Sequence, residues 1–284
     1  MSIREAVVYP FARRFFAGES LSDAVSRVRG LNAKGMGASV DFLGEDVTNS
    51  AEADAAFEEY SRAMLAVHRE GLDASVSVKL THIGLDMGRE IAENNALKLA
   101  AQAGADGLFH WLDMEGSRHT ENILGVYREL IRLHRGMVGV AIQASLLRSW
   151  RDIRSLVPEG GIIRLVKGAY DEPPEIALQD MADIRAQFTG MMVYLFDSGS
   201  RFAVGTHDKA LVETALKIAG ARRAPFEFQM LMGMRDRLKR QLVRDGFRVV
   251  EYVPYGTEWY GYGMRRLKEK RRNILYMAEG LAGR

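Results

Sequence analysis

Ile162-Ile163-Arg164-Leu165-Val166-Lys167-Gly168-Ala169-Tyr170 is the stretch whose reading decides the fold. It opens as a strand. Ile162, Ile163, Leu165 and Val166 put β-formers on both faces of the pleat, as in a strand covered on both sides. Arg164 and Lys167 interrupt that apolar run, and buried cations are costly unless an anion meets them. Gly168 and Ala169 then let a ligand approach the backbone, and Tyr170 adds an aromatic wall. The stretch reads as a strand ending at the floor of a binding site. A plain strand end with solvated cations is the alternative at this point.

Outward from it, strand-like and helix-like segments alternate. On the N-terminal side come strands over 38–43, 75–80, 107–112 and 138–144, with helices over 50–70, 89–103, 121–134 and 147–156. On the C-terminal side come strands over 201–204, 226–230 and 248–253, with helices over 175–189, 209–219, 235–245 and 259–281. Met191 to Phe196 blurs the end of the helix that starts at Glu175. Before the first strand, residues 11–35 carry apolar side chains at helical spacing; Ser20 or Ser22 is a candidate cap and Gly35 a candidate stop. Eight strand–helix units in a chain of 284 residues predict a closed (β/α)8 barrel of the TIM type, an α/β fold, with an extra N-terminal helical segment. An open doubly wound sheet would announce itself by G-x-G-x-x-G after the first strand, and Asp41-Phe42-Leu43-Gly44-Glu45-Asp46 has no such pattern.

Composition narrows the function. With 39 basic and 37 acidic side chains the formal charge is +2, which argues against nucleic-acid binding by bulk electrostatics. Cysteine is absent, so disulfides, thiolate zinc sites and thiol nucleophiles are excluded; a reducing, cytoplasmic setting is expected. No secretory leader, membrane span or low-complexity linker is read, so one domain over 1–284 is expected.

Barrel chemistry sits at the C-terminal strand ends. Polar residues gather there on seven of the eight strands. They are Lys79, Thr81 and His82 on the second; Asp113, Glu115 and Ser117 on the third; and Gln143 on the fourth. The fifth carries Arg164, Lys167 and Tyr170, and the sixth runs into Gly205-Thr206-His207-Asp208. The seventh carries Glu227 and Gln229, and the eighth Tyr252, Tyr255 and Thr257. Each has a plainer reading: Glu227 as a structural ion-pair partner for a buried arginine, His207-Asp208 as a helix cap, Gln143 as a loop tie. In the last helix, Arg265 and Arg266 suit bidentate grip of a carboxylate, and Glu269 lies one turn on to brace either. No metal site, nucleophile elbow or P-loop is read.

Taken together, R-L-V-K-G-A-Y at 164–170, G-T-H-D at 205–208, F-E-F-Q-M-L-M-G at 226–233 and Y-G-M-R-R-L-K-E at 262–269 resemble the proline dehydrogenase family, FAD-dependent enzymes on a distorted (β/α)8 barrel. The length is similar to that of the single-function bacterial enzymes. The resemblance implies oxidation of L-proline to Δ1-pyrroline-5-carboxylate by hydride transfer from C5 to flavin N5. It implies that Arg265 and Arg266 grip the proline carboxylate, with Lys79 adding charge, Glu269 holding the arginines and Asp113 ordering the cluster. Ala169, Tyr170, Leu231, Tyr252 and Tyr262 would wall the ring. Gln143, Arg164, Val166, Lys167, Gly168, Thr206, His207 and Glu227 would contact or support FAD, with Arg164 near the flavin. The final helix, 259–284, would lie at the active-site mouth, and 1–36 would form the N-terminal segment. Asp171 stands where the fusion enzymes often carry Trp, and the segment between Tyr252 and Arg265 is shorter than theirs. A quinone acceptor, a partner pyrroline-5-carboxylate dehydrogenase and peripheral contact with the inner face of a membrane are further implications. The competing readings are a hydroxyproline dehydrogenase, a barrel lyase or aldolase with Lys79 or Lys167 as Schiff base, and a non-catalytic binder acting through its basic final helix.

Overall fold

The computed structural model describes residues 3–221 and 224–267. Eight parallel strands close into a barrel in chain order. They are β1 (Gly37–Phe42), β2 (Ala74–Val78), β3 (His110–Leu112), β4 (Val138–Gln143), β5 (Ile162–Val166), β6 (Phe202–Gly205), β7 (Phe226–Leu231) and β8 (Val249–Tyr255). Closure is made by β1 and β8, which pair in register from Gly37↔Val250 to Phe42↔Tyr255. The helices are α1 (Ile3–Ala12), α2 (Leu21–Asn32), α3 (Ser50–Arg69), α4 (Arg89–Ala105), α5 (Thr120–Leu133), α6 (Ser149–Leu156), α7 (Met181–Ser198), α8 (Lys209–Ala221) and α9 (Asp236–Arg244). A further helix covers 259–267.

Most boundaries of the strand–helix units shift by no more than two residues from the sequence expectation; one strand and one helix shift further. The third strand begins at His110 rather than at 107, because Gly107 takes a left-handed turn (φ 67°) before it. The helix expected from Glu175 begins at Met181, where the Asp180 carboxylate accepts from Ala182 N–H, and it runs on through the ambiguous Met191–Phe196 segment to Ser198. That segment buries Met191, Met192, Leu195 and Phe196, a helical stripe rather than a strand.

Helix α2 is set by a capping box in which Ser20 and Asp23 each accept from the other's backbone N–H. It packs on β8 and β1, and Arg27 reaches Glu251 of β8. The helix after β8 goes to the mouth instead. There Trp259 stacks on Phe16 (5.5 Å between centroids), and Tyr262 joins Ala12, Phe15 and Leu43 in one apolar cluster. The residues that follow α1 thus hold the final helix over the barrel's C-terminal end.

The lumen is not filled by the branched aliphatic layers usual in such barrels. Its centre is Arg164 of β5, buried, with its guanidinium 4.4 Å from the Trp111 ring centroid. Trp111 has room because β4 carries Gly139 opposite it: a Cβ there would lie 2.3 Å from the indole. Outward-facing Val40, Val76, Leu165, Val204 and Phe228 pack into the main core shared with the helices.

Candidate active site

The Arg164 guanidinium donates to Ser39 Oγ of β1 (3.0 Å), Ser77 Oγ of β2 (3.0 Å) and Asp113 Oδ1 just beyond β3 (2.6 Å). Asp113 also accepts from the Tyr252 hydroxyl of β8 (2.5 Å) and lies 3.4 Å from Lys79 Nζ. Lys79, which follows β2, donates in turn to Asp41 of β1. Two cations and two carboxylates therefore interlock where five strands converge, and each buried charge has the partner it needs.

The electrostatics follow from that packing. Burial opposes the charge on Lys79, but Asp41, Tyr252, Asp113 and Tyr60 outweigh it and hold the ammonium well above its ordinary pKa. Burial also opposes the Asp113 carboxylate, yet Lys79, Arg164 and Tyr252 bring it below the usual range. Asp41, with Asp113 adding repulsion to its burial, is pushed up to about 6. Schiff-base chemistry needs a neutral amine, so this environment disfavours Lys79 as a nucleophile.

Above the network opens a cavity of about 820 Å³. Its rim carries Arg265, Arg266 and Tyr262 from the final helix and Tyr170 from the loop after β5. Glu45 links two of these: it accepts from Arg265 at 3.1 Å and from the Tyr170 hydroxyl at 3.3 Å. Arg266 lies with its guanidinium carbon 5.5 Å from the Tyr262 ring. Lys167, also in the lining, stands 3.5 Å from Asp208, whose carboxylate also accepts from Arg185 at 2.8 Å.

The cavity lining brings together Lys79, Asp113, Ala169, Tyr170, Leu231, Tyr252, Tyr262, Arg265 and Arg266, all expected on the substrate side. It also includes Gln143, Arg164, Val166, Lys167, Gly168, Thr206 and His207 from the expected cofactor side. Glu227, expected on the cofactor side, is not among the residues lining this cavity. It is the second residue of β7, near the N-terminal end of the barrel, and lines a separate cavity of about 240 Å³ there. Its carboxylate pairs with Arg248 (3.0 Å) and accepts from Gln229 (2.6 Å), the arrangement of an ion pair. Glu269 lies outside the described residues.

Sequence reasoning missed Asp41 and Glu45 as lining residues, whereas Gln229, one of the expected strand-end polar residues, does line the cavity. Asp41 carries the same signal as Arg164, a charge inside an apolar strand. Asp46, Asp86 and His119 bring metal-ligand atoms within 4.8 Å of one another, with the Arg118 side chain bonded to both Asp46 (3.1 Å) and His119 (2.7 Å).

A family model described as proline dehydrogenase matches residues 24–277. Proline dehydrogenase 1 of Bacillus subtilis subsp. natto is 36% identical over 273 residues, which cover 95% of this chain and 90% of that one. Proline dehydrogenase of Deinococcus radiodurans is 33% identical over 281 residues, 96% of this chain and 91% of its own length. Among solved structures, proline utilization A from Bdellovibrio bacteriovorus inactivated by N-propargylglycine superposes with a TM-score of 0.85 at 25% identity. That match covers 93% of this chain, which spans about a third (33%) of the solved one. With the barrel, the strand-end charges and the paired arginines of the last helix in agreement, the chain belongs to the proline dehydrogenase family.

Proposed function

We propose that this chain oxidises L-proline to Δ1-pyrroline-5-carboxylate with FAD as its cofactor. The observation that carries the reading is one cavity with a pair of arginines at its rim and a charge-balanced Lys79–Asp41–Asp113–Arg164 network at its floor.

The residues present fit a flavin. The cavity, at about 820 Å³, is far larger than proline requires. Gly168 holds φ 123° at its edge, where a Cβ would lie 2.2 Å from Ser145 Oγ, so the backbone is bare there. Oε1 of Gln229 is buried and has no hydrogen-bond partner among the described residues, an acceptor aimed at a donor still to come. Gln143, Arg164, Val166, Lys167, Gly168, Thr206 and His207 would hold FAD, which accepts the C5 hydride at N5 when bound.

The chain's own contribution is placement. Arg265 and Arg266 take the substrate carboxylate as charge-assisted pairs. Tyr170, Leu231, Tyr252 and Tyr262, with Ala169, enclose the ring and fix which carbon faces the flavin. Lys79 stays protonated between Asp41 and Asp113, so it orients rather than attacks. Glu45 holds Arg265 and Tyr170 together over the mouth and sets the water-excluding wall.

The barrel with its flanking helices works as one catalytic unit. A membrane quinone as electron acceptor and a pyrroline-5-carboxylate dehydrogenase as the enzyme that takes the product complete the reading. Among the described residues no helix is long and apolar enough to cross a membrane.

An anaerobic visible spectrum before and after L-proline tests this. A flavin spectrum that bleaches is expected. A flavin spectrum unmoved by proline but bleached by hydroxyproline would replace the substrate, and a protein that takes up no FAD would overturn the reading.

A further inference from the structure

The mouth ion pair between Glu45 and Arg265 has a buried support on neighbouring strands. Thr81 is fully buried just after β2, and Glu115 is 2% exposed after β3. Neither contacts the cavity. Glu115 accepts from both the backbone N–H (3.1 Å) and the hydroxyl of Thr81. The same hydroxyl oxygen accepts from the N–H of Asp46 (3.0 Å), and the Thr81 carbonyl accepts from the N–H of Val47 (3.2 Å). Asp46 is left-handed (φ 57°), a conformation that needs outside support in a residue with a side chain.

From Glu115 the connections continue around the mouth. Its backbone carbonyl accepts from Gln143 Nε2 (3.0 Å), and Gln143 Oε1 accepts from the N–H of Ala169 (3.3 Å). The next residue, Tyr170, donates back to Glu45 (3.3 Å). The path therefore starts beside Glu45, crosses the ends of β2, β3, β4 and β5, and returns to Glu45. A hydroxyl at position 81 suits this path: it gives its single proton to the carboxylate and keeps a lone pair for the amide.

We infer that Thr81 and Glu115 are positioning residues, which hold the 44–47 turn so that Glu45 meets Arg265 and Tyr170 and closes the mouth over a bound carboxylate. This rests on the reading of the site given above. Neither residue touches substrate; both act through Glu45.

The test is a double-mutant cycle on the flavin-loaded protein. Wild type, Thr81→Val, Thr81→Ser, Glu45→Gln and the pair Thr81→Val with Glu45→Gln are compared. The readouts are KM and kcat for L-proline and the Kd of tetrahydrofuran-2-carboxylate, the ring-oxygen isostere, from the flavin spectrum. Loss of the hydroxyl is expected to raise KM and Kd about tenfold with kcat within about threefold, as for one lost hydrogen bond to a charged group. Serine should restore wild-type values. In the Glu45→Gln background Thr81→Val should add nothing, because its effect passes through Glu45. Additive effects, an unchanged KM and Kd in Thr81→Val, or serine as impaired as valine would overturn the assignment. Should Thr81→Val fail to fold, Thr81→Ala, which also removes the hydroxyl, takes its place in the same cycle with the same expectations. Proline bleaching of the wild-type flavin reports on the reaction itself, whereas the cycle in Kd reports on mouth closure whichever substrate is oxidised.

Discussion

The hydroxyl of Tyr252 donates to Oδ2 of Asp113 at 2.5 Å and so ties the last strand of the barrel to the third. The same hydroxyl lies 3.4 Å from Lys79, and the ring stands 5.6 Å from the Arg164 guanidinium. Tyr252 is thus both a wall of the cavity and a member of the charged network beneath it. Replacement by Phe keeps the wall and removes the hydrogen bond. We expect Tyr252→Phe to retain FAD and to lower kcat/KM for proline about tenfold, which steady-state kinetics and the flavin absorbance would show together.

Arg266 lines the rim with its guanidinium carbon 5.5 Å from the Tyr262 ring. Arg266→Met should raise KM for proline at least tenfold, since a charge-assisted pair with a desolvated carboxylate is worth about 1.5–3 kcal/mol. FAD should stay bound. An unchanged KM would remove Arg266 from the carboxylate site.

Glu227 tests the separation of the two ends of the barrel. Glu227→Gln weakens the pair with Arg248, which keeps Asp73 as a second partner at 2.7 Å. Arg248 is half exposed, so a loss of about 1 kcal/mol is expected in denaturant unfolding. FAD stoichiometry should equal that of wild type. A drop in bound flavin would place Glu227 in the cofactor site after all.

Glu115 should impose a pH dependence on stability. Burial, against the hydrogen bonds from Thr81, pushes its carboxyl up to about 7 from an ordinary 4.5. Between those values the folded protein keeps a proton that the unfolded chain has lost. The unfolded state then binds fewer protons, so stability falls as pH rises from about 4.5 to 7 and levels off above. Glu115→Gln mimics the neutral form and lacks this term. Relative to that variant, wild type should lose up to about 3 kcal/mol across the window in urea titrations. A difference that does not change with pH would mean that Glu115 is ionised throughout.

Much of the barrel was legible because a strand covered on both sides leaves a short apolar run that few other structures share. The 162–166 strand has the bounds read from the chain, and Lys79, Asp113 and Tyr252 stand out because charge or hydroxyl at a strand end has no core role. Depth along the lumen was not legible. Glu227, Gln229 and Leu231 alternate alike, yet only the pairing of β7 with its neighbours shows that the first lies at the bottom and the last at the cavity. The partners of Arg265 were hidden for a related reason. Glu45 is 220 positions away in sequence, and local spacing pointed instead to Glu269. The long helix of 181–198 starts later than its apolar pattern indicates because the Asp180 cap, not that pattern, sets it.

The closing seam between β1 and β8 has a consequence for biogenesis. Ser39 lies opposite Tyr252 across that seam, so the first and last barrel strands meet only after the chain beyond Tyr252 has left the ribosome. Until then Lys79 and Arg164 are already made but lack Tyr252 and the arginines of the final helix. A nascent chain therefore holds most of the site's charges while having no place to bind a substrate. Such long-range pairing is the slow part of folding, so competence should arrive in a single late step.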